Sequence, residues 1–130
     1  MSKTKKFRRV TIPVTVQLYL QDGRPAKRHS GEYHWMSMGE FMVAYPLEIA
    51  EPFGNGTQGL RRQIKLSDMF ETADPGTTVD LEIDDWDAIK DALSKVKFNS
   101  TALSRQMMPF IEAIEQAELI EVPRQPVLAP

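Results

Sequence analysis

Apolar and polar positions alternate along residues 10–20, VTIPVTVQLYL, and this pattern predicts a β-strand with one buried face. Pro13 removes one hydrogen-bond donor from that strand, which is typical of an edge strand or a bulge. The Asp22-Gly23 pair that follows is a hairpin signal, so we expect a second strand over residues 28–36. Residues 79–83, VDLEI, alternate in the same way and predict another short strand.

The chain after residue 83 has the spacing of two amphipathic helices. The first begins near Asp84, and its apolar stripe consists of Trp86, Ile89, Leu93 and Val96. The second begins near Asn99 or Ser100, because both residue types favour the N-cap position. Its buried face is expected to contain Leu103, Met107, Phe110, Ile111 and Ile114. Pro109 should kink this helix or split it in two.

Two segments fit either a helix or a strand. Residues 37–50 could form a short helix capped by Ser37, or a strand up to Tyr45, because Pro46 disfavours helix at the preceding residue. Residues 60–73 also fit both, and we favour a strand over Gln63–Phe70. The predicted fold class is α+β: a small antiparallel sheet, made of the N-terminal hairpin and later strands, packed with two C-terminal helices.

Charge divides the chain into a basic and an acidic half. Residues 1–36 carry eight Lys and Arg against two acids, whereas residues 66–122 carry four against thirteen acids, within a net charge of −2. We predict a basic N-terminal arm over residues 1–9, one domain over 10–121 and a proline-rich tail over 122–130. The candidate contacts for a partner or for nucleic acid are Lys3, Lys5, Lys6, Arg8, Arg9, Arg24, Lys27 and Arg28.

Six acids crowd into residues 80–91, a density that raises the question of a metal site. A calcium loop that started at Asp80 would need glycine at its sixth position, where this chain has Asp85. Acids at a helix start have a simpler explanation, because they stabilise the positive end of the helix dipole. We therefore interpret Asp84, Asp85 and Asp87 as a helix start and a candidate acidic contact surface. Asp91 is expected to pair with Lys95 one turn later.

Other chemical motifs are weak. GNGTQG at residues 54–59 has dinucleotide-motif spacing, but no buried strand precedes it and no βαβ unit surrounds it. His29 and His34 flank Glu32 without the further ligands that zinc requires. The chain has no cysteine, no nucleophile elbow and no P-loop lysine. We predict no catalytic, cofactor-binding or metal-binding residues, and a protein that is not an enzyme.

Residues 79–119, VDLEIDDWDAIKDALSKVKFNSTALSRQMMPFIEAIEQAEL, resemble the C-terminal part of many short bacteriophage-encoded structural or accessory proteins. Those proteins run from a strand to an acidic helix start and then to a second helix with an acidic end. The resemblance covers about a third of the chain and implies a small phage structural or accessory protein. It transfers no functional residues.

These observations lead to two hypotheses of function. The first is a non-enzymatic structural or assembly protein, a phage virion component whose terminal arms contact copies of itself or other virion subunits. The alternative is a small nucleic-acid-binding regulator or host-takeover accessory protein that uses the basic arm together with Arg24, Lys27 and Arg28. The N-terminus lacks a signal-peptide pattern and no apolar run could span a bilayer. We therefore expect cytoplasmic synthesis, incorporation into a virus particle, and no membrane partner.

Overall fold

A computed structural model describes residues 4–48, 53, 56–98 and 100–123. The strands within these residues are Thr4–Thr11 (β1), Val16–Gln17 (β2), Trp35–Met36 (β3), Thr78–Glu82 (β4) and Glu118–Pro123 (β5). The α-helices are Met38–Ala44 (α1), Gly56–Glu71 (α2), Ile83–Lys95 (α3) and Thr101–Glu115 (α4), with a 3₁₀ turn at Pro46–Glu48. The expected α+β class is confirmed.

The largest sheet is antiparallel, has the strand order β4-β1-β5, and places β1 in its centre. Arg8 lies opposite Leu81 of β4 and Leu119 of β5. The prediction of a free basic arm is therefore wrong for residues 4–9, which form most of the central strand; residues 1–3 lie outside the described part of the chain. Lys5 and Arg9 lie on the face of the sheet that carries Glu82 and Asp80 of β4, whereas Lys6 and Arg8 alternate to the other face.

The other face of this sheet covers the hydrophobic core. Val10 of β1 lies opposite Val79 of β4, and both side chains are buried. Helices α3 and α4 pack on this side. The indole of Trp86 in α3 donates to the carbonyl of Ile114 in α4 at 2.9 Å, which ties the two helices together beneath the sheet.

Residues 16–36 form a separate small unit, which we call the three-ladder lobe. Three short two-stranded ladders meet at Leu18, Ala26 and His34. The backbone N–H of Ala26 donates to Leu18, that of His34 to Ala26, and that of Leu18 to His34, each at 2.9 Å. These bonds form a closed ring of three. Turns at Gly23 and Gly31, with φ of 87° and 90°, allow the two hairpins between the ladders.

The lobe corrects the predicted N-terminal strands. The continuous strand expected over 10–20 breaks at residues 12–15 around Pro13, and the strand expected over 28–36 is regular only at Trp35–Met36. The hairpin at Asp22-Gly23 is confirmed.

Both ambiguous segments contain helices. Ser37 caps α1 by accepting from the backbone N–H of Glu40 at 3.1 Å, so the helical alternative for residues 37–50 is correct up to Ala44. The preference for a strand over Gln63–Phe70 is wrong, because α2 contains this whole segment. Its large buried residues, Leu66 and Phe70, are one helical turn apart. Two apolar anchors at that spacing are too few for the sequence to distinguish helix from strand.

The C-terminal helices follow the predicted pattern in most details. Ser100 caps α4 by accepting from the N–H of Leu103, and Pro109 lies inside this helix. Helix α3 begins at Ile83 with Glu82 at the N-cap position, so Asp84 lies in the first turn and does not cap the helix. Strand β5 was not predicted, and the domain consequently continues to Pro123 where a tail was expected from residue 122. Residues 124–130 of that tail lie outside the described part of the chain.

Candidate interaction surface

Most of the predicted basic contact residues are engaged by side chains of the same molecule. Lys5 donates to Glu82 at 2.8 Å, Arg9 to both carboxylate oxygens of Asp80 at 2.9 and 3.1 Å, and Lys6 lies 3.7 Å from Glu121. Arg24 donates to Asp22 at 2.6 Å, Arg28 to Glu40 at 3.0 Å, and the Lys27 ammonium lies over the Tyr33 ring at 5.5 Å. Lys3 lies outside the described residues. The contacts of Lys5, Lys6 and Arg9 therefore join the basic half to the acidic half within one chain.

Arg8 has a different environment because it points from β1 towards the helices. Its guanidinium lies 4.3 Å from the centre of the Trp86 ring and donates to the carbonyl of Ala117 at 3.3 Å. A cation held over an indole ring is favourable, and this residue is half-buried. Arg8 therefore stabilises the packing of the sheet on α3 and is removed from the candidate contact surface.

The three acidic candidates also differ in exposure. Asp85 is 4% exposed and accepts from the Nε of Arg62 at 2.5 Å, so it is a buried anchor between α2 and α3. Asp84 and Asp87 are exposed and line an open groove of about 560 Å³ along α3. Asp91 and Lys95 form the expected ion pair at 3.3 Å. The described residues contain no group of three His, Asp or Glu side chains arranged to hold a metal ion.

The outer face of the three-ladder lobe carries a group of exposed aromatic side chains. Side chains alternate between the two sides of a ladder, and partners across a ladder share a side. The pairs Gln17–Trp35, Tyr19–Pro25 and Lys27–Tyr33 therefore all lie on one side, around the central ring of hydrogen bonds. We define the lobe face as Gln17, Tyr19, Pro25, Lys27, Tyr33 and Trp35.

Three of the six side chains of the lobe face are aromatic and about half exposed. The exposed fractions are 45% for Tyr19, 53% for Tyr33 and 51% for Trp35. The hydroxyl of Tyr19 donates to the side-chain oxygen of Gln17 at 3.1 Å, and Tyr19 is also held from below, where its N–H donates to Gln106 of α4 at 2.7 Å. The lobe face is thus a pre-formed aromatic surface with one positive charge, at Lys27.

Polar contacts on the opposite side of the lobe fix it to α1. Glu40 binds both His34, with 2.9 Å between Nε2 and Oε1, and Arg28, which also donates to the carbonyl of Trp35 at 3.0 Å. Burial alone would raise the pKa of the Glu40 carboxyl, but the hydrogen bonds from Arg28 and His34 outweigh it and hold that pKa below its ordinary value. Arg28, although predicted as a contact residue, therefore has a structural partner.

Sequence reasoning missed the aromatic residues of this surface. It did not identify Tyr19, Tyr33 or Trp35 as an exposed contact residue. A usable signal was present in EYHWM, where Tyr33 and Trp35 alternate with His34 and with the buried Met36. The alternation shows that the two aromatic residues share a side, but not that this side faces solvent.

No known protein family, curated protein or solved structure matches the chain. The helices of the described residues are too short or too polar to cross a bilayer.

Proposed function

We propose that this protein is a non-enzymatic assembly protein that acts through contacts between subunits, and that its contact surface is the lobe face. The observation that supports this function is the grouping of Tyr19, Tyr33 and Trp35, each about half exposed, on one side of the three-ladder lobe. Tyrosine and tryptophan are enriched at protein interfaces because they bury large, rigid surfaces and still offer a polar group. Single exposed aromatic residues are ordinary, whereas a contiguous group marks an interaction site.

The N-terminal arm, which the assembly hypothesis included, contributes less than expected. Residues 4–9 are used inside the fold, so this part of the chain is not free to reach a neighbour. The biological context we propose is a bacteriophage particle. That context is supported by the resemblance of residues 79–119 to short phage proteins, and the lobe face supplies the kind of surface that such a protein needs.

The charge of the lobe face favours a protein partner over nucleic acid. Lys27 is the one charged residue among its six, and the neighbouring Arg24 and Arg28 pair with Asp22 and Glu40. Affinity for nucleic acid depends on several cations that neutralise phosphates. A nearly uncharged aromatic surface is better suited to an uncharged or weakly charged polypeptide.

A nucleic-acid-binding function remains the second candidate because of one specific feature. Lys27, Arg28, His29 and His34 line an open groove of about 380 Å³ at the side of the lobe. Every side chain in this lining can carry a positive charge, so the groove could contact a phosphate chain. Binding of this kind should weaken by orders of magnitude between low and physiological salt, whereas an aromatic protein contact should change little.

The proposed function can be tested with matched pairs of exposed apolar residues. The double variant Tyr33→Ser/Trp35→Ser should weaken self-association by about thirty-fold or more, since central aromatic residues of an interface contribute about 2 kcal/mol or more. The control is Leu60→Ser/Ile64→Ser, which removes an equally exposed apolar pair from α2. Sedimentation equilibrium over a wide concentration range measures the association, and circular dichroism verifies folding. Equal association of the two variants would exclude the lobe face as the contact surface.

A further inference from the structure

The C-terminal sequence of this chain has the composition of a ligand for an aromatic surface. Residues 124–130, RQPVLAP, follow strand β5 and contain two prolines, Pro126 and Pro130. Proline-rich segments favour the polyproline II conformation, which leaves their carbonyl groups without internal hydrogen bonds. Domains that bind such segments dock them on exposed aromatic rings, because little conformational entropy is lost when a pre-extended peptide binds.

The lobe face matches the requirements of such a ligand. Tyr19, Tyr33 and Trp35 provide flat rings against which proline rings can stack, and their phenol and indole groups can donate to peptide carbonyls. Beside Tyr33 an open depression of about 580 Å³ continues past Pro25 and Lys27 towards Leu20 and Arg24, whose guanidinium is paired with Asp22. Its lining is mostly apolar, so it can receive the side chains of a peptide that contains proline, valine and leucine.

We propose that the lobe face binds the proline-rich tail, residues 124–130, of a second copy of this chain. The inference rests on the proposed function and names its partner. In this arrangement every copy offers one lobe face and one tail, so that subunits connect head to tail or exchange tails in a closed dimer.

The position of the tail favours a second copy over the chain's own tail. Pro123 pairs with Thr4 at one end of β1, and the lobe follows Thr11 at the opposite end. A strand of eight residues is about 24 Å long. Residues 124–130 would span about 22 Å in the polyproline II conformation, which is less than the length of β1, so these seven residues do not bridge the distance from Thr4 to the far end of β1.

The charge distribution argues against single-stranded nucleic acid as the occupant of this face. Bases can stack on tyrosine and tryptophan, but proteins of that kind surround the rings with cations that track the phosphates. The lobe face has Lys27 alone, and its ammonium lies over the Tyr33 ring. The tail contains one charged residue, Arg124, and needs no cationic surface.

Two complementary variants of the full-length chain test the inference. One carries Trp35→Ala in the lobe face and the other carries Pro126→Ala/Pro130→Ala in the tail, with Gln125→Ala as the matched tail control. Sedimentation equilibrium should show self-association at least tenfold weaker for each of the first two and unchanged for the control. An equimolar mixture of the lobe variant and the tail variant should recover association, because one partner retains the lobe face and the other the tail.

A synthetic peptide of residues 121–130 should compete and dissociate the wild-type assembly. If the tail variant associates like wild type while the lobe variant does not, the tail is not the ligand, and the proposed function alone stands. If both variants associate normally, or if wild type is monomeric at every concentration, the inference and the proposed function both fail. Binding of a single-stranded oligonucleotide that Trp35→Ala abolishes, with an unaffected tail variant, would overturn the inference in favour of nucleic acid.

Discussion

Replacement of Asp85 by asparagine should lower the free energy of unfolding by about 2–3 kcal/mol. The sequence does not distinguish this residue from the neighbouring acids Asp84 and Asp87. Asp85 is 4% exposed, and its carboxylate lies 2.5 Å from the Nε of Arg62 and 4.0 Å from the Nζ of Lys65. Asparagine keeps the size of the side chain but removes the charge that both cations on α2 face.

The magnitude follows from the burial of each partner. A hydrogen bond to a charged group contributes about 1.5–3 kcal/mol, and breaking a fully buried ion pair costs about 3–5 kcal/mol. The Arg62 side chain is 30% exposed, so its guanidinium regains part of its hydration when the carboxylate is lost. The expected cost therefore lies below the range for a fully buried pair, and it corresponds to a decrease in Tm of about 8–12 °C for a chain of this length.

Urea unfolding followed by circular dichroism measures this cost, with Asp84→Asn and Asp87→Asn as controls from the same helix. Both controls are exposed and should change stability by less than about 1 kcal/mol. The double variant Arg62→Gln/Asp85→Asn should be less destabilised than the sum of the two single variants, because the two side chains form one pair. The reasoning is refuted if Asp85→Asn is no worse than the controls, or if the effects of Arg62→Gln and Asp85→Asn are additive.

Three further predictions test other contacts of the fold. Gly39→Ala should destabilise by about 1–2 kcal/mol despite the better helix propensity of alanine, because the new Cβ would lie 2.7 Å from the Cα of Glu71; a stabilised variant in urea unfolding would contradict this close crossing of α1 and α2. Pro109→Ala should stabilise by about 1–2 kcal/mol, since it restores an N–H donor within α4; a decrease in the urea midpoint would show that the ring of Pro109 contributes essential packing. Because the pKa of Glu40 is lower in the folded chain than its ordinary value of 4.5, the ionised carboxylate stabilises the fold at pH values above 4.5. This contribution is lost as the pH falls through the lower pKa of the folded state. Glu40→Gln should therefore flatten the loss of stability between about pH 6 and about pH 3, while the exposed control Glu48→Gln should leave the slope unchanged.

The sequence predicted those features of the fold that depend on contacts between residues a few positions apart. A helix cap at Asn99 or Ser100 was predicted, and Ser100 occupies it because its hydroxyl accepts from the N–H of Leu103 three residues later. Asp22-Gly23 predicted a hairpin because glycine readily adopts the positive φ that the turn requires. The pairing of Asp91 with Lys95 followed from their spacing of one helical turn.

The same reasoning could not predict the strands at the two ends of the chain, because these strands form through long-range pairing. Residues 4–9 show no alternation of apolar and polar types, so their strand is invisible in the sequence. The strand pairs with β4 and β5 along its length, where Lys5, Arg9 and Lys6 meet carboxylates and Arg8 lies over Trp86. These partners are more than seventy residues away in the sequence, and no local pattern can reveal them.

The sequence by itself determined the α+β class, the hairpin and the two C-terminal helices, because turn chemistry and helical periodicity act between neighbours. The tertiary structure alone decided that the basic N-terminus is a central strand and that its charges are neutralised within the molecule. It also decided the candidate site, since Tyr19, Tyr33 and Trp35 become one surface only when the ring of hydrogen bonds at Leu18, Ala26 and His34 closes. The physical reason is that the outward direction of a side chain depends on which strands pair, and that pairing is a property of the folded chain.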